Sequence, residues 1–136
     1  MIPAPGKNLR LSSRPENLFL VEKLVDDVCD LYNIGEEKYG NILISLTEAV
    51  NNAITHGNKG NPIKEIDISL KSSFRELTFS ISDQGEGFNF NDLPDPTAPE
   101  NLEKENGRGV FLMKQLADKV EFTENGRIVE LTFLLN

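Results

Sequence analysis

Glu48 and Asn52 stand four residues apart in the run YGNILISLTEAVNNAITHGN (residues 39–58). That spacing puts both side chains on one side of a helix, one turn apart. A carboxylate and a neutral amide so placed offer a general base beside an oxygen ligand for a hard cation. A second group follows an alternating run: Ser82-Asp83-Gln84-Gly85-Glu86-Gly87-Phe88. Alternate glycines let the backbone turn sharply and approach a flat ligand, while the Asp83 carboxylate accepts a hydrogen bond from it. In the third group Gly107-Arg108-Gly109-Val110 stands before a helical run. Bare amides at a helix start form an anion site, and phosphate is the usual occupant. Each group also has a plainer reading: a wet helix face, a turn, a glycine needed for space.

The elements that must position these residues can be read from periodicity. In residues 39–58 the apolar face holds Tyr39, Ile42, Leu43, Leu46, Ala49, Val50, Ala53 and Ile54, which predicts a helix on a core. Ser45, Glu48, Asn51, Asn52 and Thr55 share the opposite stripe, and no Lys or Arg occurs between Lys38 and Lys59. Short polar groups and one acid are expected of the wall of a site. Upstream, a short strand is expected at residues 8–12. Ser13, Pro15 and Glu16 then read as a capping box opening a helix to about Asn33. Downstream, Ile66, Ile68 and Leu70, then Leu77, Phe79 and Ile81, alternate as a hairpin. Pro94, Pro96 and Pro99 interrupt residues 89–106, a loop of a length that is usually either a functional lid or disordered. A helix at 109–117 and strands at 120–123 and 127–135, around Asn125-Gly126, complete the chain. The order implies an α+β two-layer sandwich, with helices on one face of a mixed, mostly antiparallel sheet, and residues 1–136 as a single domain.

With 136 residues the chain is long enough for one core. The net charge of −8 and the lack of a Lys/Arg cluster argue against direct nucleic-acid or membrane binding. Cys29, the one cysteine, falls among apolar helix positions, so no disulfide framework is expected. The start, MIPAPGKNLR, lacks a signal-peptide run, which with the single thiol predicts a cytoplasmic protein.

In this order and spacing the three groups resemble the nucleotide boxes of the histidine-kinase-like ATPases, the Bergerat-type fold shared by DNA gyrase, heat-shock chaperones of the ninety-kilodalton class, sensor histidine kinases and mismatch-repair ATPases. Within that superfamily the chain looks most like the bacterial anti-sigma-factor serine kinases. Glu48-Ala49-Val50-Asn51-Asn52-Ala53-Ile54-Thr55-His56-Gly57 is similar to the first box, Asp83 to Phe88 to the second, and Gly107 to Met113 to the third. The resemblance implies ATP or ADP as ligand with Mg²⁺. Glu48 would be the general base, Asn52 the Mg²⁺ ligand and Asp83 the acceptor of the adenine amino group. Gly85 and Gly87 would close on the base, while Gly107, Arg108, Gly109 and Val110 would face the phosphates. Lys104 or Arg108 would add positive charge there, although a solvated lid residue is the plainer role for either.

The implied function is a serine/threonine kinase that binds a sigma factor and phosphorylates an antagonist protein; relatives commonly form homodimers. The alternative is a non-catalytic module that uses ATP to gate protein binding, against which Glu48 speaks. A histidine-kinase fragment would need a helical segment with a phosphorylatable His before the boxes, and gyrase-type hydrolysis a lysine from another domain. One position departs from the pattern. Many relatives carry Gly-Thr at the last hairpin to help hold adenine, whereas Arg127 follows Gly126 here, so that the contact is either missing or supplied by Thr132 or Thr78.

Overall fold

The computed structural model describes residues 9–85 and 105–135. Among the described residues, five strands form one sheet: β1 (Leu9–Ser12), β2 (Glu65–Ser72), β3 (Glu76–Ser82), β4 (Lys119–Thr123) and β5 (Ile128–Leu134), in the order β1-β2-β3-β5-β4. Every pairing is antiparallel, so the expected mixed character is absent from these strands. The connections explain this. β2 and β3 form a hairpin in which Ile68 lies opposite Ile81, and β4 and β5 form another in which Phe122 lies opposite Val129.

Alternation sends Ile66 and Ile68 of β2, Leu77, Phe79 and Ile81 of β3, and Val129, Leu131 and Phe133 of β5 to one buried face. The rings of Phe79 and Phe133 meet there edge to face, with centroids 6.1 Å apart. Helices α1 (Leu18–Leu31), α2 (Glu36–Asn52) and α3 (Glu105–Leu116) complete the layer above it. α2 is central, packed on both other helices and on β3 and β5. Its inward residues Ile42, Leu46, Ala49 and Val50 repeat at helical spacing and are all buried. Tyr39 Oη donates to Asp26 Oδ1 at 2.6 Å, tying α2 to α1.

The structure departs from the expected element ends in three places. Ser13 does not open a capping box: a 3₁₀ turn, Pro15–Asn17, precedes α1, and Arg14 precedes that turn without a side-chain cap bond. Pairing of Ser12 with Glu65 carries Ser13 inside, where its Oγ donates to Lys64 O at 2.8 Å. The central helix stops as an α-helix at Asn52 and continues as a π-helical turn, Ala53–Gly57. α3 starts at Glu105, several residues before the expected 109.

Candidate active site

A cleft opens between α2, α3 and the sheet, lined by Asn52, Gly57, Asp83, Met113, Phe122 and Arg127 among others. One end is built from backbone. The π-helical turn brings Gly57 against the strand-end Asp83; a methyl at Gly57 would lie 2.9 Å from Asp83 Oδ1 and nearer still to Oδ2. A methyl at Gly85 would run into the Gly57 carbonyl. Only glycine fits either place while the two segments touch. Gly85 N–H donates to Asp83 Oδ1 at 2.8 Å and holds the carboxylate, while Asp83 N–H donates to Arg127 O at 3.0 Å and anchors its main chain to the last strand's lead-in. Burial pushes the Asp83 carboxyl above the usual carboxylate range; the Gly85 N–H and the charges of Arg127 and Lys64 oppose this without cancelling it.

The other end is built from side chains. A methyl at Gly109, on α3, would stand 3.0 Å from Glu48 Oε2 and 3.1 Å from Asn52 Nδ2. Glu48 and Asn52 therefore come together on α2 where it faces α3, as their spacing requires. The half-buried Glu48 also borders a second groove, between α1 and α2, with Leu18, Phe19, Leu43 and Ile44.

The Histidine kinase-like ATPase domain family matches residues 11–133 of the chain. The chain belongs to that ATPase family. Among its curated relatives, a protein named anti-sigma F factor from Bacillus cytotoxicus is 38% identical over 109 residues, covering 74% of this chain and 72% of the relative. The serine-protein kinase RsbW of Oceanobacillus iheyensis is 26% identical, covering 83% and 75%. RsbW of Bacillus subtilis is 24% identical, covering 94% and 84%.

Not every residue singled out in the sequence joins the ATPase cleft. Ser45 is fully buried rather than on the site wall, and its Oγ finds no hydrogen-bond partner among the described residues. Val110 is 5% exposed, so its side chain serves the core. The earlier start of α3 explains this, because Val110 and Met113, three apart, share its inward face. Gly107, Arg108 and Gly109 accordingly lie within α3 and not in a loop before it. Gly87, Lys104 and nearly all of the expected lid, 89–106, lie outside the described residues.

Thr78 and Thr132 cannot replace the missing hydroxyl. They alternate with the buried residues of β3 and β5, so they face away from the helices, and their hydroxyls bond each other at 3.1 Å. Arg127 itself lines the cleft, held by Nε–H donation to Glu124 O at 3.1 Å. Met113 and Gly57, which stand in the boxes without a role of their own, also line the cleft, and so does Phe122, which lies outside the boxes and whose signal is its alternation with Val120.

Proposed function

We propose that this ATPase-family chain is a serine/threonine protein kinase of the anti-sigma type, transferring the γ-phosphate of Mg-ATP to a Ser or Thr of an antagonist protein and regulating a sigma factor by binding it. The observation that carries the reading is the position of Glu48. With Asn52 it faces Gly109 at the cleft, and it also borders the α1/α2 groove, the side from which the acceptor protein's hydroxyl is assigned to arrive. The names of the relatives, serine-protein kinase RsbW and anti-sigma F factor, point the same way.

In this reading Asp83 accepts the adenine amino group at the backbone-built end, with Gly57 and Gly85 allowing the base to approach closely. Asn52 and Glu48 fit a Mg²⁺-nucleotide: the amide offers one neutral oxygen, which suits an ion that keeps most of its coordination to phosphates and water, and Gly109, lacking a side chain, lets the α3 backbone lie against both. The ion supplies charge neutralisation when bound. Glu48 takes the proton of the acceptor hydroxyl as its oxygen bonds the γ-phosphorus; the bond from that phosphorus to the bridging oxygen breaks, and ADP leaves. Residues of the Gly107 to Gly109 run, with Lys104 or Arg108, are assigned to the phosphates, residues 89–106 to a lid, and homodimerisation and a cytoplasmic location belong to the same proposal. No helix of the described residues is long and apolar enough to cross a membrane.

The test is incubation of the protein with γ-labelled ATP and the protein products of neighbouring genes. Label on a Ser or Thr of one partner, dependent on added Mg²⁺, is expected. Nucleotide-dependent binding of a partner without transfer would make the chain an ATP-gated binding module instead.

A further inference from the structure

Next to the cleft lies a buried polar cluster that neither the fold nor phosphate transfer accounts for. Asn58 is 1% exposed and Ser13 equally so. Asn58 Nδ2 donates to Ser13 Oγ at 2.7 Å and to Glu65 O at 3.1 Å, while its Oδ1 accepts from Gln84 N–H at 2.7 Å. Its backbone N–H closes the π-helical turn on Ala53 O at 2.8 Å. Ser13 Oγ passes the chain on to Lys64 O. Gln84 returns to the cluster through its side chain, whose Oε1 accepts from Glu65 N–H at 2.8 Å.

One carboxamide thus joins four segments: the end of the central helix, the residue after β1, the start of β2 and the turn after β3. All of its hydrogen-bonding groups toward these segments are used, and a satisfied buried network holds one geometry. The geometry it holds is functional in kind. Gln84 lies between Asp83 and Gly85, so the bond from Gln84 N–H to Asn58 fixes the Asp83–Gln84 peptide, which joins the residue bearing the carboxylate to the next peptide, whose Gly85 N–H donates to it. The π-helical turn closed by the same residue aims Gly57 at both of them. π-helical turns of this kind occur disproportionately at functional sites.

We infer that Asn58, supported by Ser13, is a positioning residue for purine recognition, holding the Asp83–Gly85 turn at the distance from Gly57 that adenine requires. The inference rests on Asp83 as the reader of the adenine amino group, and the test separates the two. ATP and purine riboside triphosphate, which lacks only that amino group, are titrated against the parent protein and the Asp83→Ala, Asn58→Ala and Ser13→Ala variants. The parent is expected to prefer ATP about ten- to a hundredfold, the effect of one hydrogen bond to a charged group, and Asp83→Ala to lose that preference. Asn58→Ala is expected to lose most of it while keeping its affinity for the purine analogue within about twofold of the parent. Ser13→Ala should lose a smaller part, because Asn58 keeps its bonds to Gln84 and Glu65.

Equal weakening toward both nucleotides in Asn58→Ala would mark a general structural role and overturn the proposal, as would an undiminished preference. A parent with no preference would overturn the assignment of Asp83 itself, and the positioning role with it. If Asn58→Ala does not fold, Ser13→Ala decides: a reduced preference together with faster exchange of the Gln84 amide supports the proposal, and parental values of both overturn it.

Discussion

The two ends of the cleft are made of different material. At the Asp83 end the contacts are backbone on backbone and hydrogen bonds in the interior: Gly85 lies against the Gly57 carbonyl, and Asn58 pins the turn from behind. At the Glu48 end two side chains from α2 reach a glycine of α3, and what faces Gly109 is the tips of Glu48 and Asn52. A rigid end suits recognition of a flat base, whose shape does not change during the reaction. An end made of side-chain tips suits a γ-phosphate that must change partners. Binding and chemistry should therefore come apart on mutation.

The largest effect expected is on chemistry. Glu48→Gln should lower phosphate transfer by about 10² to 10⁴, the usual contribution of a general base, while ATP affinity stays within a few-fold; equal losses in both would merge the two ends into one. Next comes Gly85→Ala. Its methyl meets backbone that cannot swing aside, so a loss of about 1–3 kcal/mol in denaturant-unfolding stability is expected, with nucleotide affinity lowered as well. Gly109→Ala is the matched control, since the groups it meets can rotate by the few tenths of an ångström required. Its cost should fall on the transfer rate more than on stability, and the reverse result would show that both ends are equally stiff.

Titration probes the rigid end alone. Because burial holds the Asp83 carboxyl above its ordinary range, ATP affinity should weaken as pH falls through that raised value, at a higher pH than an exposed Asp would give. Arg127→Gln removes a charge that opposes the shift, so calorimetry should find the midpoint at still higher pH. The folded protein holds this proton more tightly than the unfolded chain, so the Asp83 contribution to stability falls as pH rises between the ordinary and the raised value. The smallest effect lies outside both ends. Ser45→Ala removes a buried hydroxyl without a partner among the described residues and should raise unfolding stability by about 1 kcal/mol.

The sequence made the Glu48 end legible and half of the Asp83 end. Helical spacing alone predicts that Glu48 and Asn52 point together, and strand alternation alone predicts which residues of β2, β3 and β5 line the core. Ser13 is not legible because its local pattern, with Pro15 and Glu16, is that of a cap, whereas pairing of β1 with β2 across more than fifty residues draws it inside. Asn58 was hidden for a related reason: an Asn beside His56, Gly57 and Gly60 has the composition of a turn, and only the fold reveals that its carboxamide is buried. The rotation of Ser45 into the core and the earlier start of α3 depend on how α2 and α3 pack on each other, which periodicity fixes only to within a turn. Where contacts are local in sequence the pattern sufficed; where they join distant segments it did not.

Single-turnover transfer of labelled phosphate to the partner at saturating ATP tests the division of the cleft most directly, because saturation removes the contribution of affinity. Asp83→Ala should then transfer within a few-fold of the parental rate, having lost only binding, whereas Glu48→Gln should remain about 10² to 10⁴ slower. Parental transfer by Glu48→Gln, or a loss in Asp83→Ala that saturation does not restore, would contradict the separation of a base-reading end from a phosphate-transferring one.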